Sequence, residues 1–491
     1  MSDSLINLLY LASAVLFVVG LKQMTRPRTA VRGNRLAAVG MLIAVLVTLF
    51  SSEVFGLGTI LVGIAIGAAL GVVIAQRVEM TQMPELVALF NGLGGLASLL
   101  VAGAMLHVDS PGFREAIAAI EWWDSDTPTD AQVAAAAEIT DRYAPTTTAL
   151  VATVLSGLIG AVTLSGSLLA FAKLAGFAWL KDLPAMPGGL LTNAGMLVMS
   201  LLFGGCLIAA GVDEAWSYWV MCLIALVLGY GLVIAIGGAD MPVVIALLNS
   251  YSGLAAAATG FVLQNSILII AGSLVGASGL ILTQIMCKAM NRSLANVLFG
   301  TISGTAAALS EDEVYATVRS TSPEEVAMLL EDAERVVIVP GYGMAVAQAQ
   351  HAVRDLTNSL AARGVDVEFG VHPVAGRMPG HMNVLLAEAD IPYERLREMD
   401  AINDTIEQAD VCLVVGANDT VNPDARNPDS AIAGMPVIDA DRARVCVVIK
   451  RSLSPGFAAI PNPLFAAANT RMLFGDGREA IVEIKNALED G

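Results

Sequence analysis

The first 290 residues are dominated by long apolar stretches, each close to the roughly 20 residues that an α-helix needs to cross a bilayer. Short polar or basic segments separate these stretches. Because an apolar run of this length has no polar face to turn toward water, the pattern predicts membrane-spanning helices. About nine such helices are expected, near 5–21, 36–52, 57–75, 84–106, 146–172, 190–212, 216–238, 241–263 and 266–286.

The pattern changes in the last third of the chain, where short apolar runs alternate with amphipathic stretches. The run Arg335–Pro340 is typical of a strand buried on both faces of a parallel sheet. Further strands are predicted at 365–371, 411–416, 435–439 and 444–450, with helical stretches between several of them. The fold expected is therefore a multi-span α-helical membrane domain followed by a soluble, doubly wound α/β (Rossmann-like) domain. The predicted division is 1–290 for the membrane domain, 291–315 for a linker and 316–491 for the soluble domain.

Composition supports this division and excludes one class of partner. Apolar residues make up 56% of the chain and charged residues 15%, against about 25% charge in an ordinary globular protein. The net charge of -18 argues against nucleic acid, because a phosphate-binding surface needs clustered cations. The 5 cysteines form no CxxC pair, so neither a metal site nor a disulfide is expected.

The distribution of charge between the apolar stretches predicts an orientation. Basic residues follow the first, third, fifth and ninth stretches: Lys22, Arg26, Arg28, Arg32, Arg35, Arg77, Lys173, Lys181, Lys288 and Arg292. Because basic loops stay in the cytoplasm, these segments are expected inside and the acidic segment 107–145 outside. The N-terminus lacks the basic region and cleavage site of a secretory signal. We therefore expect a retained first helix, an outer N-terminus and a cytoplasmic C-terminal domain.

Four of the polar residues within or at the edge of the apolar stretches are candidates for function, because polar groups are costly there and often functional. Asn91 and Asn249 lie inside the fourth and eighth stretches. Either inter-helix packing or a polar conduction path accounts for them. Glu85 and Asp240 lie near cytoplasmic helix starts, each close to a proline. Stabilisation of a helix N-terminus is the simpler interpretation of these two acids.

A glycine-rich turn follows the first predicted strand of the soluble half. Gly341 and Gly343 separate this strand from a helix expected to end near 362. Glycines at such a turn let the backbone approach a dinucleotide pyrophosphate, although a plain tight turn has the same pattern. Other polar segments follow later strands, at 372–380, 416–419 and 450–452. Since ligands of doubly wound folds bind beyond the carboxyl ends of the strands, these segments are expected to line one site.

The charges at the strand ends favour NADP over NAD. An NAD site usually ends the second strand with an acid that binds the ribose 2′-hydroxyl. Here that end is His372, and Glu368 lies inside the strand. Lys450, Arg451 and Ser452 instead offer two cations and a hydroxyl, which suit a 2′-phosphate. A solvated Lys–Arg pair is the alternative.

Long motifs in both halves resemble one family, the β subunit of proton-translocating NAD(P) transhydrogenase. In the soluble half they are PGYGMAVAQAQ at 340–350, VHPVAGRMPGHMN at 371–383, GANDTVNP at 416–423, GMP at 434–436, KRS at 450–452 and LFGD at 473–476. In the membrane half they are VEMTQMPELV at 78–87, GGADMPVV at 237–244, LNSYSG at 248–253 and MCKAMNRS at 286–293. The resemblance covers nearly the whole chain except 107–145.

The resemblance implies a function, partners and site residues. Hydride would pass between NAD(H) on an α-type partner subunit and NADP(H) on this chain, coupled to proton movement through the membrane helices, in a dimer of such units in a bacterial inner membrane. The residues implied to line NADP(H) are Gly341, Tyr342, Gly343, Met344, Ala345, Val346, Val374, Ala375, Gly376, Arg377, Met378, Asn418, Asp419, Lys450, Arg451, Ser452, Phe457, Asp476 and Gly477. Lys450 and Arg451 would bind the 2′-phosphate, and Asp419 would couple nucleotide occupancy to protonation. Asn91, Asn249, Asp240 and Glu85 are the candidates for the proton path.

The chain departs from the family pattern at three places. Asn91 stands where many relatives place a histidine, Phe457 replaces an expected tyrosine, and 107–145 is longer than usual. The first departure puts the proton path in doubt. Two competing functions are a nucleotide-gated transporter without redox chemistry and a membrane reductase acting alone. The reductase would need a second redox site, and the sequence shows one Gly-rich dinucleotide turn and no haem, flavin or iron–sulfur motif.

Overall fold

The computed structural model describes residues 3–24, 27–50, 57–78, 82–106, 146–177, 189–237, 240–291, 293–299, 317–377, 380–428, 430, 432–456, 458 and 460–490. Within these residues, 9 helices are long and apolar enough to cross a membrane. They are α1 (Asp3–Met24), α2 (Pro27–Leu49), α3 (Leu57–Arg77), α4 (Met83–Met105), α5 (Thr147–Leu174), α6 (Gly189–Ala210), α7 (Ala215–Ile234), α8 (Met241–Val262) and α9 (Ser266–Ala289). The predicted number of helices is confirmed.

Helices α5 and α8 form the centre of the membrane domain. Over the most apolar part of each helix, 67% of residues are buried in α5 and 72% in α8, against 0% in α3. Helix α8 packs against α9, α5 and α4. Small residues permit this close approach, since a Cβ at Gly253 would lie 2.5 Å from the backbone nitrogen of Gly276 in α9.

The second helix begins earlier than expected. The apolar pattern predicted a start near residue 36, whereas α2 begins at Pro27. Arg32 and Arg35 therefore lie on its first turns rather than in a loop, and Lys22 lies in the last turn of α1. Proline at a first helical position and arginine in a helix interior are both well tolerated, so the helix extends beyond its apolar part.

The soluble domain is built on one parallel sheet with the strand order β3-β2-β1-β4-β5-β6. The strands are β1 (Arg335–Pro340), β2 (Asp366–Val371), β3 (Leu396–Glu398), β4 (Val411–Val415), β5 (Val445–Lys450) and β6 (Thr470–Phe474). The helices after α9 are α10 (Leu294–Phe299), α11 (Pro323–Glu331), α12 (Tyr342–Val346), α13 (Gln350–Ala362), α14 (His381–Glu388), α15 (Met399–Asn403) and α16 (Gly477–Asp490). This arrangement confirms the predicted Rossmann-like fold class.

Both faces of the sheet are covered, as its apolar strands predict. Val336 and Ile338 of β1 belong to one buried cluster, and Val337 and Val339 belong to another on the opposite face. All four side chains are fully buried. Alternate side chains of a strand point to opposite faces, so a run without polar residues requires a layer on each side.

Several predicted elements of the soluble domain were wrong or missing. Segment 435–439 is not a strand: the Ile438 amide donates to the Thr420 carbonyl at 2.9 Å, outside the sheet. Strands β3 and β6 were not predicted. The expected helix up to 362 is divided into α12 and α13 near Gln348, whose φ is +48°. Helix α10 also lies within the predicted linker.

Candidate functional site

The glycine-rich turn lies where the strand order reverses, between β1 and β4. The amide of Gly341 donates to the Val415 carbonyl at 2.9 Å, and that of Gly343 donates to the Gly416 carbonyl at 2.8 Å. A Cβ at Gly341 would lie 2.3 Å from the Ala417 Cα, so the two backbones leave no room for a side chain. Crevices at such reversal points bind dinucleotides in doubly wound folds. The glycine-rich turn therefore lies directly after β1, where the sequence predicted it.

Lys450 and Asp419 lie together at the carboxyl ends of β5 and β4. The Lys450 ammonium donates to the Ser454 carbonyl and lies 4.9 Å from the centre of the Phe465 ring. Burial lowers the pKa of Lys450, and the neighbouring Asp419 carboxylate opposes that effect. Asp419 also accepts a hydrogen bond from the Ala458 amide at 3.1 Å. Lys450 therefore provides a partly buried cation at this end of the sheet, and this cation can bind a phosphate.

Asn418 joins the same cluster through its side-chain amide. With the amide oriented to satisfy its neighbours, its oxygen accepts from the Gly456 amide at 2.6 Å and from the Lys450 ammonium at 3.1 Å. The Asn462 amide donates to the Asn418 backbone carbonyl at 3.0 Å. Sequence reasoning identified Asn418 but missed Asn462, which is fully buried. The loop after β5 is thereby tied to the end of β4.

Arg451 and Asp476 form an ion pair at the edge of the site. Their closest nitrogen–oxygen distance is 2.7 Å, and the guanidinium holds the pKa of the Asp476 carboxyl below its usual value. The Ser452 hydroxyl donates to that of Ser454 at 2.9 Å. Gly477 begins α16, close to Ala347 beside the first turn. The residues expected to bind a 2′-phosphate and those expected to line NADP(H) at 476–477 thus surround the carboxyl ends of β5 and β6.

Arg377 points away from the sheet toward the membrane helices. Its guanidinium lies 4.5 Å over the ring of Tyr342, which belongs to the glycine-rich turn. It donates to the carbonyl of Leu174 at 2.6 Å and to the carboxylate of Glu85 at 3.4 Å. Leu174 is the last residue of α5, and Glu85 lies in the first turn of α4. One side chain therefore contacts the nucleotide turn and two membrane helices.

The loop that carries Arg377 is held in place by two buried histidines. His372 Nδ1 accepts from the Val374 amide at 3.2 Å, and its Nε2 contacts the Pro436 carbonyl at 2.8 Å. His381 Nδ1 accepts from the Arg377 amide at 3.1 Å. Burial lowers the pKa of each histidine to about 4, and the Arg377 guanidinium adds to this effect at His381. Both rings are therefore neutral at pH 7.

Stability of the soluble domain is expected to fall between pH 7 and pH 5. An unfolded histidine binds a proton near pH 6.5, whereas these folded histidines resist protonation down to about pH 4. The free energy of unfolding of the soluble domain should be about 2 kcal/mol lower at pH 5 for each histidine. Hydrogen exchange of the full chain in urea, at pH 7 and at pH 5, measures this free energy. His372→Gln or His381→Gln should reduce the pH dependence, and the exposed control His351→Gln should not. Equal pH dependence in all variants would contradict the assignment.

The four membrane candidates lie on, or directly before, two neighbouring helices, α4 and α8. The Asn91 amide nitrogen donates to the Ile245 carbonyl of α8 at 3.4 Å, which is an inter-helix bond. Asp240 is 2% exposed and precedes α8, without a side-chain bond to the helix N-terminus. Asn249 lies one turn beyond Ile245 on the same helix. Glu85 faces Arg377, and its side chain is 12% exposed.

Two contacts at the junction of the halves were not predicted. The Lys173 ammonium donates to three carbonyls at the end of α7, including that of Ile234 at 2.7 Å. Asn291 donates to the Ala433 carbonyl of the soluble domain at 3.0 Å. A lysine near a helix end signals carbonyl capping in general, but the sequence does not say which helix is capped.

Met378 and Phe457, both predicted to line the site, lie outside the described residues, as does 107–145.

Comparisons with known proteins agree with the fold and the site. The family model described as "PNTB: NAD(P) transhydrogenase beta subunit" matches residues 6–487. Two relatives from Rhodospirillum rubrum, each named NAD(P) transhydrogenase subunit beta, are 44% identical to the chain over 495 residues. The alignments cover 99% of this chain and 100% of each relative. The resemblance of the motifs is thereby confirmed, and this chain belongs to the NAD(P) transhydrogenase beta subunit family.

Proposed function

We propose that this chain binds NADP(H) at the carboxyl edge of its sheet and exchanges a hydride with NAD(H) held by an α-type partner subunit. We also propose that this exchange is coupled to proton movement through α1–α9. The observation that carries the coupling is the position of Arg377, which contacts Tyr342 of the nucleotide turn and Glu85 of α4. A site that only bound nucleotide would not need this bridge, whereas coupling requires contacts that differ between two states.

The choice of NADP(H) for this chain rests on the charges around the site. Lys450 and Arg451 supply two cations at the end of β5. Glu368, an acid in the middle of β2, is bonded to Arg335 at 2.6 Å and to Arg397 at 2.8 Å. It is therefore committed to an ion-pair network inside the sheet and is not available to a ribose 2′-hydroxyl. The residues around the crevice fit a 2′-phosphorylated dinucleotide better than an unphosphorylated one.

Each group of residues has a role in this proposal. The glycine turns at Gly341 and Gly416 let the backbone approach the dinucleotide, which supplies the hydride donor or acceptor. Asp419 lies beside Lys450 and would sense the charge bound there. Glu85 and Asp240 are the ionisable candidates for the proton path. Asn91 would order water or hold α4 against α8, because an amide does not titrate near neutral pH.

The assembly and orientation follow from the family and from the loop charges. The beta-subunit name implies an α-type partner. We propose a dimer of such heteromeric units in a bacterial inner membrane, with the N-terminus outside and the soluble domain in the cytoplasm. The basic residues Lys173 and Lys288, at the ends of α5 and α9, support this orientation.

Membrane vesicles that contain this chain alone are expected to catalyse no hydride transfer from NADPH to NAD. Both nicotinamides must be held in contact for transfer, and the proposal gives this chain only one of them. Addition of an α-type subunit should restore turnover together with proton uptake, followed by nucleotide absorbance and an enclosed pH indicator. Vesicles with the α-type subunit alone are the control.

Two outcomes would contradict separate parts of the proposal. Turnover by this chain alone would refute the need for a partner. Turnover of the complete complex without proton movement, in sealed vesicles, would leave the hydride exchange and refute the coupling. Nucleotide-dependent proton movement without hydride transfer would instead support a gated transporter.

A further inference from the structure

A cavity of about 460 Å³ lies inside the membrane domain, between α5, α6, α7 and α8. Helix α6 packs mainly against α7 and touches α5 much less. This packing leaves the space open on the side of α8. Leu298 of the short helix α10 lines the same cavity.

The lining of this cavity is almost entirely apolar. Leucine, isoleucine and valine side chains predominate, with Leu158, Leu197 and Leu247 as examples from three of the helices. A buried water needs two to four polar partners, which such a lining does not provide. Because protein interiors are close-packed and most of the described lining is apolar, the space suits an apolar occupant.

The cavity is continuous with the membrane-facing surface of the helix bundle. Leu190 and Leu197 of α6 line it and are 56% and 42% exposed. Exposed leucines on a spanning helix suit contact with lipid hydrocarbon. The acyl chains of the bilayer are therefore the apolar occupant that this opening fits.

The two ends of the cavity lie at different depths in the membrane, and Tyr251 is the other polar side chain besides Asn193 among the described lining residues. Asn193, in the second turn of α6, lines one end with a buried side-chain oxygen that accepts no hydrogen bond from the described residues. Ile236, just after α7, and Leu298 lie at the same end. Leu254 lies at the other end, roughly 20 Å along α8 from its start. An amphiphile with its polar end near the membrane surface and its chain toward the middle matches this order.

We propose that the cavity binds one acyl chain of a membrane phospholipid, with the Asn193 side-chain oxygen accepting a hydrogen bond from an ammonium or hydroxyl group of the lipid headgroup. The chain would fill the space that α6 leaves against α8. It would thereby support the helix that carries Asn249. This binding site requires only that α5–α8 span a bilayer, so it is independent of nucleotide binding and of proton coupling.

A photoactivatable phospholipid tests the site in the full-length chain reconstituted in lipid nanodiscs. The probe carries a diazirine near the end of one acyl chain, and labelled peptides are mapped by mass spectrometry after illumination. Label is expected on the cavity-lining parts of α7 and α8, at 228–233 and 244–254. An excess of unlabelled phospholipid should displace this label, because a defined site is saturable.

A matched pair of variants separates the cavity from the outer surface of α6. Ala194→Trp should block the opening and remove label from the deep parts of α7 and α8. Leu191→Trp, on the same helix but 83% exposed and outside the lining, should leave that label intact. Equal labelling in both variants, or no label at 244–254 in the unmodified chain, overturns the proposal. If Ala194→Trp fails to fold, the competition by unlabelled phospholipid decides alone: label that is not displaced overturns it.

Discussion

Replacing Glu85 by glutamine is expected to lower coupled turnover by roughly ten- to hundredfold while leaving NADP(H) affinity nearly unchanged. The substitution keeps the shape of the side chain and removes the charge that faces Arg377, at 3.4 Å in a largely buried contact. A hydrogen bond between charged groups contributes about 1.5–3 kcal/mol, and each 1.4 kcal/mol is about a factor of ten. Because Glu85 lies in the membrane domain, its loss should affect communication between the halves rather than nucleotide binding.

A double-mutant cycle tests whether the two residues act as one unit. Arg377→Gln should produce a similar loss of coupled turnover, and the double variant should be little worse than either single variant. Proton uptake and hydride transfer are measured together in sealed vesicles with the partner subunit. Glu214→Gln is the control, because the Glu214 carboxylate bonds Trp216 in the first turn of α7, the end of that helix away from Arg377. Additive losses in the cycle, or an equal loss in the control, would contradict a direct link between Glu85 and Arg377.

Replacing both Lys450 and Arg451 by alanine is expected to remove most of the preference for NADP(H) over NAD(H). Two charge-assisted bonds to a phosphate amount to about 3–6 kcal/mol, or on the order of a hundredfold to ten-thousandfold in affinity. Lys450 should contribute the larger share. Its ammonium is partly buried, whereas Arg451 is 63% exposed and already paired with Asp476.

Calorimetry of the full-length chain in detergent measures this preference directly. NADP⁺ and NAD⁺ are titrated separately into the unmodified chain, the single variants and the double variant. Arg444→Ala is the control, because Arg444 is 77% exposed and lies just before the first residue of β5, at the end of the strand away from Lys450. Equal affinities for the two nucleotides in the unmodified chain would show that the basic pair does not select NADP. An equal effect of Arg444→Ala would show that net charge alone, and not the position of the basic pair, explains the preference for NADP⁺.

The sequence predicted those parts of the fold that hydrophobic burial alone decides. The nine helices and β1 have apolar patterns that only one environment accommodates. Segment 435–439 shows the limit of the method. Ile438 is fully buried, but its amide bonds Thr420 outside the sheet, and an apolar pattern reports burial without reporting the bonding partner.

The site was predicted less completely than the fold, for the same physical reason. Strand ends and glycine turns mark the carboxyl edge of the sheet, which brought Gly341, Asp419 and Lys450 into one prediction. The Arg377–Glu85 contact joins residues 292 positions apart, and no local pattern connects them. Arg377 was expected to line the nucleotide site, and its guanidinium lies over Tyr342 of the glycine-rich turn; its further contacts with the membrane helices were not predicted.

The crossing of the two glycine turns sets a limit on how this sequence can vary over evolution. A side chain at Gly341 would meet backbone atoms of Gly416 and Ala417, and one at Gly416 would meet backbone atoms of Gly343. Crowding between side chains is often relieved by a smaller neighbour. Here no smaller neighbour exists, because the obstacles belong to the main chain itself. Drift at these positions would have to move whole strands, so the glycines can persist even in a lineage that changes its nucleotide, its partner or its proton-conducting groups.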